Sequence, residues 1–353
     1  MTLAAALNVI RADVRAARAY VVQSSAGVIK LDAMENPYTL PPALQAALGE
    51  RLGSVALNRY PSDGVARLSQ ALLRHAGLPA TSAITLGNGS DELISLLCMA
   101  VAQPGATVLA PLPGFVMYEA SARHHGLNFV GVPLTANFEL DLDAMLTAIE
   151  RTQPALIFLA YPNNPTANLW DAAAIERIVE AAPGLVVMDE AYQPFAARDS
   201  MALLVRHAHV LVMRTMSKFG LAGVRIGYLL GDAALVGEIE KLRPPYNISV
   251  LNTEAALFAL EHADVFAEQA QMLRAERSKL LAALRAMRGV QAFDSEANMI
   301  LIRVADAAAR FEKMKARGVL IKNVSALHPL LHNCLRLTVG TPEENLKLLE
   351  SLA

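Results

Sequence analysis

Between residues 84 and 230, short apolar runs alternate with segments of helical spacing, and this alternation limits the possible folds more than any other feature. The runs at 107–110, 127–132, 155–160, 185–188, 210–213 and 226–230 are apolar at nearly every position. A strand with one wet face alternates between apolar and polar residues; a strand covered on both faces does not. The intervening segments 92–102, 118–125 and 172–182 repeat their apolar residues three and four apart, as a helix with one buried face requires. The fold class this predicts is α/β, a mostly parallel sheet flanked by helices.

The C-terminal part has a different character. Residues 254–287 are rich in Ala and Leu with charges spaced along them, which predicts a long helical stretch. Short strands near 298–304, 319–321 and 335–339, with a helix at 305–316, predict a smaller α+β domain. At 353 residues and roughly 150 per domain, two domains are expected. The boundaries are placed at 41–250 for the large domain, with 1–40 and 251–353 forming the small one.

Composition removes several function classes. A formal net charge of −2 offers no basic footprint for nucleic acid. The most apolar stretch, 93–117, is interrupted by Pro104, Gly105, Pro111, Pro113 and Gly114, so it does not read as a membrane span. The N-terminus lacks the pattern of a signal peptide, and a cytoplasmic protein is expected. Cys98 and Cys334 have no zinc-ligand spacing; they are read as buried thiols, with a disulfide as the alternative.

Four strand ends carry candidate chemistry. Lys218, in Thr215-Met216-Ser217-Lys218, follows an apolar strand, and Arg225 lies seven residues on. A lysine at such a place can present a neutral amine to an aldehyde, and Ser217 with Arg225 can hold one phosphate. A surface lysine and a solvated arginine are the plainer account. Asp189 ends the run 185–188 and is followed by Tyr192. A carboxylate there can keep a pyridine nitrogen protonated, and the tyrosine can donate to a ring oxygen; a helix cap is the alternative. Gly87-Asn88-Gly89-Ser90-Asp91-Glu92 is a glycine-rich turn into a helix, suited to an anion, though Ser90 also fits as a plain N-cap. Tyr161-Pro162-Asn163-Asn164-Pro165-Thr166 follows the run 155–160 and brings an amide, Asn164, to a further strand end, although turn formers alone need no function. Each element is ordinary singly. Together they describe one site.

At these residues the chain resembles the fold-type I pyridoxal 5'-phosphate (PLP) enzymes, and within them the histidinol-phosphate aminotransferases. The resemblance runs from Ile29-Lys30-Leu31-Asp32-Ala33-Met34-Glu35-Asn36-Pro37-Tyr38, through Asn58-Arg59-Tyr60-Pro61, to Cys334-Leu335-Arg336-Leu337-Thr338-Val339-Gly340. It implies a large PLP-binding domain and a smaller α+β domain. Lys218 would be the Schiff-base lysine and proton carrier, Asp189 the partner of the pyridinium nitrogen, and Tyr192 and Asn164 the partners of the ring's phenolate. The turn at Gly89, with the amides of Ser90 and Asp91, and with Ser217 and Arg225, would hold the cofactor phosphate. Phe115 would stack on the ring, with a core phenylalanine as the alternative, and Tyr60 would reach the phosphate from the neighbouring subunit of a homodimer with shared active sites. Arg336, helped by Tyr20 and Lys322, would bind the phosphate of histidinol phosphate or the carboxylate of glutamate and 2-oxoglutarate. No metal is implied.

Three departures from that family stand out. Lys322-Asn323 replaces the family's arginine and aspartate, keeping charge but losing bidentate geometry. Ala167 stands where glycine is usual, at a cost of about 1 kcal/mol if that residue takes a positive φ. The stretch between Lys218 and Arg225 is one residue shorter than in many relatives. The implied reaction is amino transfer between histidinol phosphate and 2-oxoglutarate. An aromatic or broad-specificity aminotransferase, a PLP-dependent phosphothreonine decarboxylase and a non-catalytic PLP-binding regulator are the alternatives; no partner-binding segment supports the last.

Overall fold

The computed structural model describes residues 2–16, 19, 23–78 and 82–353. Strand β1 (Ile29–Lys30) is followed by β2 (Ser82–Gly87), β3 (Thr107–Leu112), β4 (Asn128–Pro133), β5 (Leu156–Ala160), β6 (Leu185–Asp189), β7 (Val210–Thr215) and β8 (Gly227–Asp232). The last seven make one sheet in the order β2-β8-β7-β6-β5-β3-β4. All its pairings are parallel except those of β8, which runs against both β2 and β7.

The continuous apolar runs have the expected cause. Along β5, Ile157 and Leu159 enter one apolar layer, while Leu156, Phe158 and Ala160 enter the layer on the other face. The strands β6 and β7 divide their residues the same way, Val186 and Val212 to one side, Val187 and Leu211 to the other. Helices Ser90–Ala100 and Met117–His124 cover one face through Leu93, Leu97, Tyr118 and Ala122. Helices Gly64–Ala76, Leu142–Thr152 and Ala172–Ala181 cover the other through Leu68, Met145 and Ile178. The last two are capped by Asp141 and Asp171, whose side chains accept the backbone N–H three residues on.

The second part contains β9 (Gln291–Ala292), β10 (Met299–Arg303), β11 (Val319–Leu320), β12 (Lys322–Asn323) and β13 (Cys334–Thr338). An antiparallel sheet β12-β13-β10-β9 packs beside the parallel pair β1-β11, which joins the N-terminal segment to the C-terminal one. Two expectations need correcting in detail. The stretch 254–287 is two helices, Val250–Glu261 and Ala263–Ala286, parted at His262, whose backbone is non-helical. The strand expected at 319–321 is β11, and β12 just beyond it, which was not expected, belongs to a different sheet. Both cysteines are free and buried, and burial pushes the Cys98 thiol up to about 12. Among the described residues, no helix is long and apolar enough to cross a membrane, and no His, Cys, Asp and Glu cluster has metal-binding geometry.

Candidate active site

The site forms where the parallel strands end. After β7 the chain makes no crossover helix; it turns through Ser217–Leu221 and Ala222–Val224 and returns as β8. Met216 N–H bonds to Ile226 O at 2.8 Å and closes this loop, leaving Lys218 at the carboxyl edge of the sheet. The lysine Nζ donates to Ala33 O at 2.9 Å. Burial pushes its amine down to about 8, and positive Arg336 acts in the same direction.

Asp189 closes β6 and Asn164 follows β5, so neighbouring strands deliver both to one cavity. Lys218, Asp189, Tyr192, Asn164, Phe115, Ser90, Asp91, Ser217 and Arg225 all line it. Asp189 is 5% exposed; Tyr118 Oη donates to its Oδ2 at 2.5 Å and Ala191 N–H to its Oδ1 at 3.1 Å. Burial raises the carboxyl to about 6, against the lowering pull of Tyr118. Burial likewise raises the Tyr192 hydroxyl, with Arg336 opposing it, so this group stays a proton donor at neutral pH.

The glycine turn makes a cradle with no room for side chains. A Cβ on Gly89, whose φ is +83°, would lie 2.6 Å from Arg225 Nη2, and one on Gly227 would lie 2.5 Å from Ser90 N. Helix Ser90–Ala100 begins here with no side-chain cap, so its first amides face the cavity. Arg225 Nη1 donates to Ser217 Oγ at 3.4 Å and Nη2 lies 3.7 Å from Asp91. An arginine, a hydroxyl and a helix N-terminus around a bare turn match a phosphate dianion. At the other end, a buried carboxylate, a tyrosine and an amide match a pyridine ring bearing a phenolic oxygen. The donor set therefore fits PLP from both ends.

Arg336, on β13, does not line this cavity but grips Asn164, which does. Its Nη1 donates to Asn164 Oδ1 and its Nη2 to Asp32 O, both at 2.7 Å. Lys322 stands opposite Arg336 in the antiparallel register, so the two side chains leave the same face of the small sheet. Tyr60 does not join the cavity; it is 77% exposed and stacks on Tyr246 at 4.6 Å. Tyr20 lies outside the described residues. The most informative residue not anticipated from sequence is Tyr118. Its ring stacks on Phe158 at 4.4 Å and meets Phe115 edge-on at 5.7 Å. The only sequence signal was an aromatic three residues beyond Phe115, and nothing there announces a bond to Asp189.

A mostly parallel sheet with a lysine, a buried acid and an anion cradle at its carboxyl edge defines a PLP-dependent enzyme of fold type I. The description "Aminotransferase class I and II" matches residues 26–352, and the chain belongs to that family. A histidinol-phosphate aminotransferase of Methylibium petroleiphilum is 67% identical over 346 residues, covering 97% of this chain and 93% of that protein. One from an Acidovorax species is 64% identical, covering 98% and 96%. Among solved structures, the histidinol-phosphate aminotransferase of Sinorhizobium meliloti in complex with pyridoxal-5'-phosphate aligns with a TM-score of 0.81 and 28% identity, covering 92% of this chain and 89% of that one.

Proposed function

We propose that the protein moves the amino group of L-histidinol phosphate to 2-oxoglutarate, giving imidazole-acetol phosphate and glutamate, a step of histidine biosynthesis. The observation that carries this reading is the close likeness of almost the whole chain to proteins of that activity. The chemistry supplied by PLP when bound is electron withdrawal from the substrate's α-carbon. The chain's own residues do the rest. Lys218 holds the cofactor and, as a neutral amine, takes and returns the proton at the α-carbon. Asp189 keeps the pyridine nitrogen protonated. Tyr192 and Asn164 donate to the phenolate oxygen, and because Asn164 Oδ1 is engaged by Arg336, the amide nitrogen is the end left to donate. Gly89, the amides of Ser90 and Asp91, Ser217 and Arg225 hold the cofactor phosphate, and Phe115 stacks on the ring.

Substrate recognition falls to Arg336 and Lys322, with Tyr20 assigned beside them. The amino donor brings a phosphate and the acceptor a carboxylate, so the pair has to accept either anion at the same place. The working unit is a cytoplasmic homodimer in which Tyr60 serves the partner's phosphate site. Residues 41–250 carry the cofactor, while 1–40 and 251–353 close over the substrate.

The test is a half-reaction. Cofactor-loaded protein given L-histidinol phosphate alone loses its visible absorbance to a band near that of the pyridoxamine form, and 2-oxoglutarate restores it. A visible band indifferent to histidinol phosphate discards the substrate. Carbon dioxide from O-phosphothreonine would then give the decarboxylase, and a response to phenylalanine the aromatic aminotransferase.

A further inference from the structure

Beneath the anion cradle runs a chain of polar side chains with no share in the chemistry described so far. Asn88 N–H donates to Glu92 Oε2 at 2.5 Å, and Asn247 Nδ2 donates to the same oxygen at 2.7 Å. Arg243 Nη1 in turn donates to Asn247 Oδ1 at 2.7 Å, which settles the orientation of that amide. Arg243 is braced on Glu240 through Nε at 2.9 Å and Nη2 at 2.6 Å, and Glu240 accepts from the Thr85 hydroxyl on β2. The chain thus begins and ends on the strand and turn that lead into the cradle.

Its effect is to allocate the amides of the turn. Asn88 N–H is spent on Glu92 and Gly89 N–H on Gly87 O, at 2.8 Å. The next two amides, those of Ser90 and Asp91, are the first that the helix leaves over. Were Glu92 to swing away, Asn88 N–H would lose its partner and the turn would be free to re-form around it. Because Glu92 belongs to helix Ser90–Ala100 and Asn247 to the segment leading into helix Val250–Glu261, two separate elements hold the turn.

We infer that Glu92 and Asn247 are positioning residues for the cofactor phosphate, preorganising the turn so that Ser90 and Asp91 present their amides together. This rests on the PLP reading of the site and concerns only the phosphate end of it. The part that the phosphate plays is isolated by comparing PLP with pyridoxal, which has the same ring and aldehyde and no phosphate. Dissociation constants for both are measured on cofactor-free full-length protein by visible absorbance. Asn247→Ala removes a hydrogen bond to a charged group, and the PLP constant should rise about tenfold, with the pyridoxal constant unmoved. Asn247→Asp sets a second carboxylate against Glu92 and should rise at least as far. Glu92→Gln keeps an acceptor oxygen for Asn88 N–H and should recover most of the affinity. Equal losses for PLP and pyridoxal, or no loss for either, would overturn the inference. Wild-type protein that developed no visible band with PLP would instead overturn the cofactor assignment, and the inference with it.

Discussion

Asp189 and Glu190 are adjacent in sequence and do opposite jobs. Successive strand residues point to opposite faces, so Asp189 lines the cavity while Glu190 turns away to Arg214 on β7, with Arg214 Nη2 at 2.7 Å from its carboxylate. Removing Arg214 leaves the buried Glu190 carboxylate without its counter-charge, the situation that costs several kcal/mol, whereas Arg214 keeps Asp199 at 3.4 Å if Glu190 is removed. Residue-scale chemistry is most testable at Lys218. Its folded pKa is depressed, to about 8 from 10.5, so the neutral, nucleophilic amine appears at a lower pH than in a free lysine. The rate at which PLP recombines with cofactor-free protein should rise with pH, pass its midpoint near about 8 and then level. A rate still climbing towards pH 10.5 would mean that burial does not act on this amine as described. Lys218, Asp189, Tyr192 and Arg225 were legible from sequence because each sits at a fixed offset from an apolar strand. Tyr118 was not, since its partner lies 71 residues away.

Elements record where local preference yields to packing. Ala167 occupies φ +65°, a left-handed conformation that favours glycine, and its residue is wholly buried in the small-domain core beside Tyr192 and Ala297. Glycine there would relieve about 1 kcal/mol of backbone strain. It would also forfeit a buried methyl, roughly 0.8 kcal/mol, and add about 0.4–1 kcal/mol of freedom to the unfolded chain. Ala167→Gly should therefore leave stability within about 1 kcal/mol of wild type, whereas Ala167→Val, branched and overpacked, should lose about 3 kcal/mol. Urea melts measure both; a glycine variant stabilised by more than about 1 kcal/mol would refute the compensation. The family resemblance exposed the anomaly and could not show what offsets it. The strands β11 and β12, parted by Ile321, likewise serve two sheets because the chain crosses from β1's side to β13's.

At the scale of the whole molecule, several large apolar side chains are left on the surface. Leu57 is exposed, as are Tyr60 and Tyr246, whose rings stack on each other, and Leu3, Leu7, Val9, Ile10 and Val14 are exposed along the N-terminal arm. That is more than scattered surface apolar residues require, and it favours the homodimer proposed above. Light scattering should give twice the chain mass. If Tyr60 serves the partner's site, mixing refolded Lys218→Ala and Tyr60→Ala chains in equal amounts should recover roughly a quarter of wild-type activity, since half the dimers are mixed and each has one complete site. No recovery would place Tyr60 in its own chain's site, and a Tyr60→Ala parent that is fully active by itself would place it outside both.

The sequence by itself determined the α/β class, the sites of chemistry at the strand ends and the family resemblance, because apolar period and strand-end position are local properties that a chain carries before it folds. The antiparallel return of β8, the bond from Tyr118 to Asp189, the clasp of Arg336 on Asn164 and the polar chain from Thr85 to Asn88 were decided by the tertiary structure alone. Each joins residues far apart along the chain, and which distant groups meet depends on how the layers pack rather than on any spacing that the sequence displays.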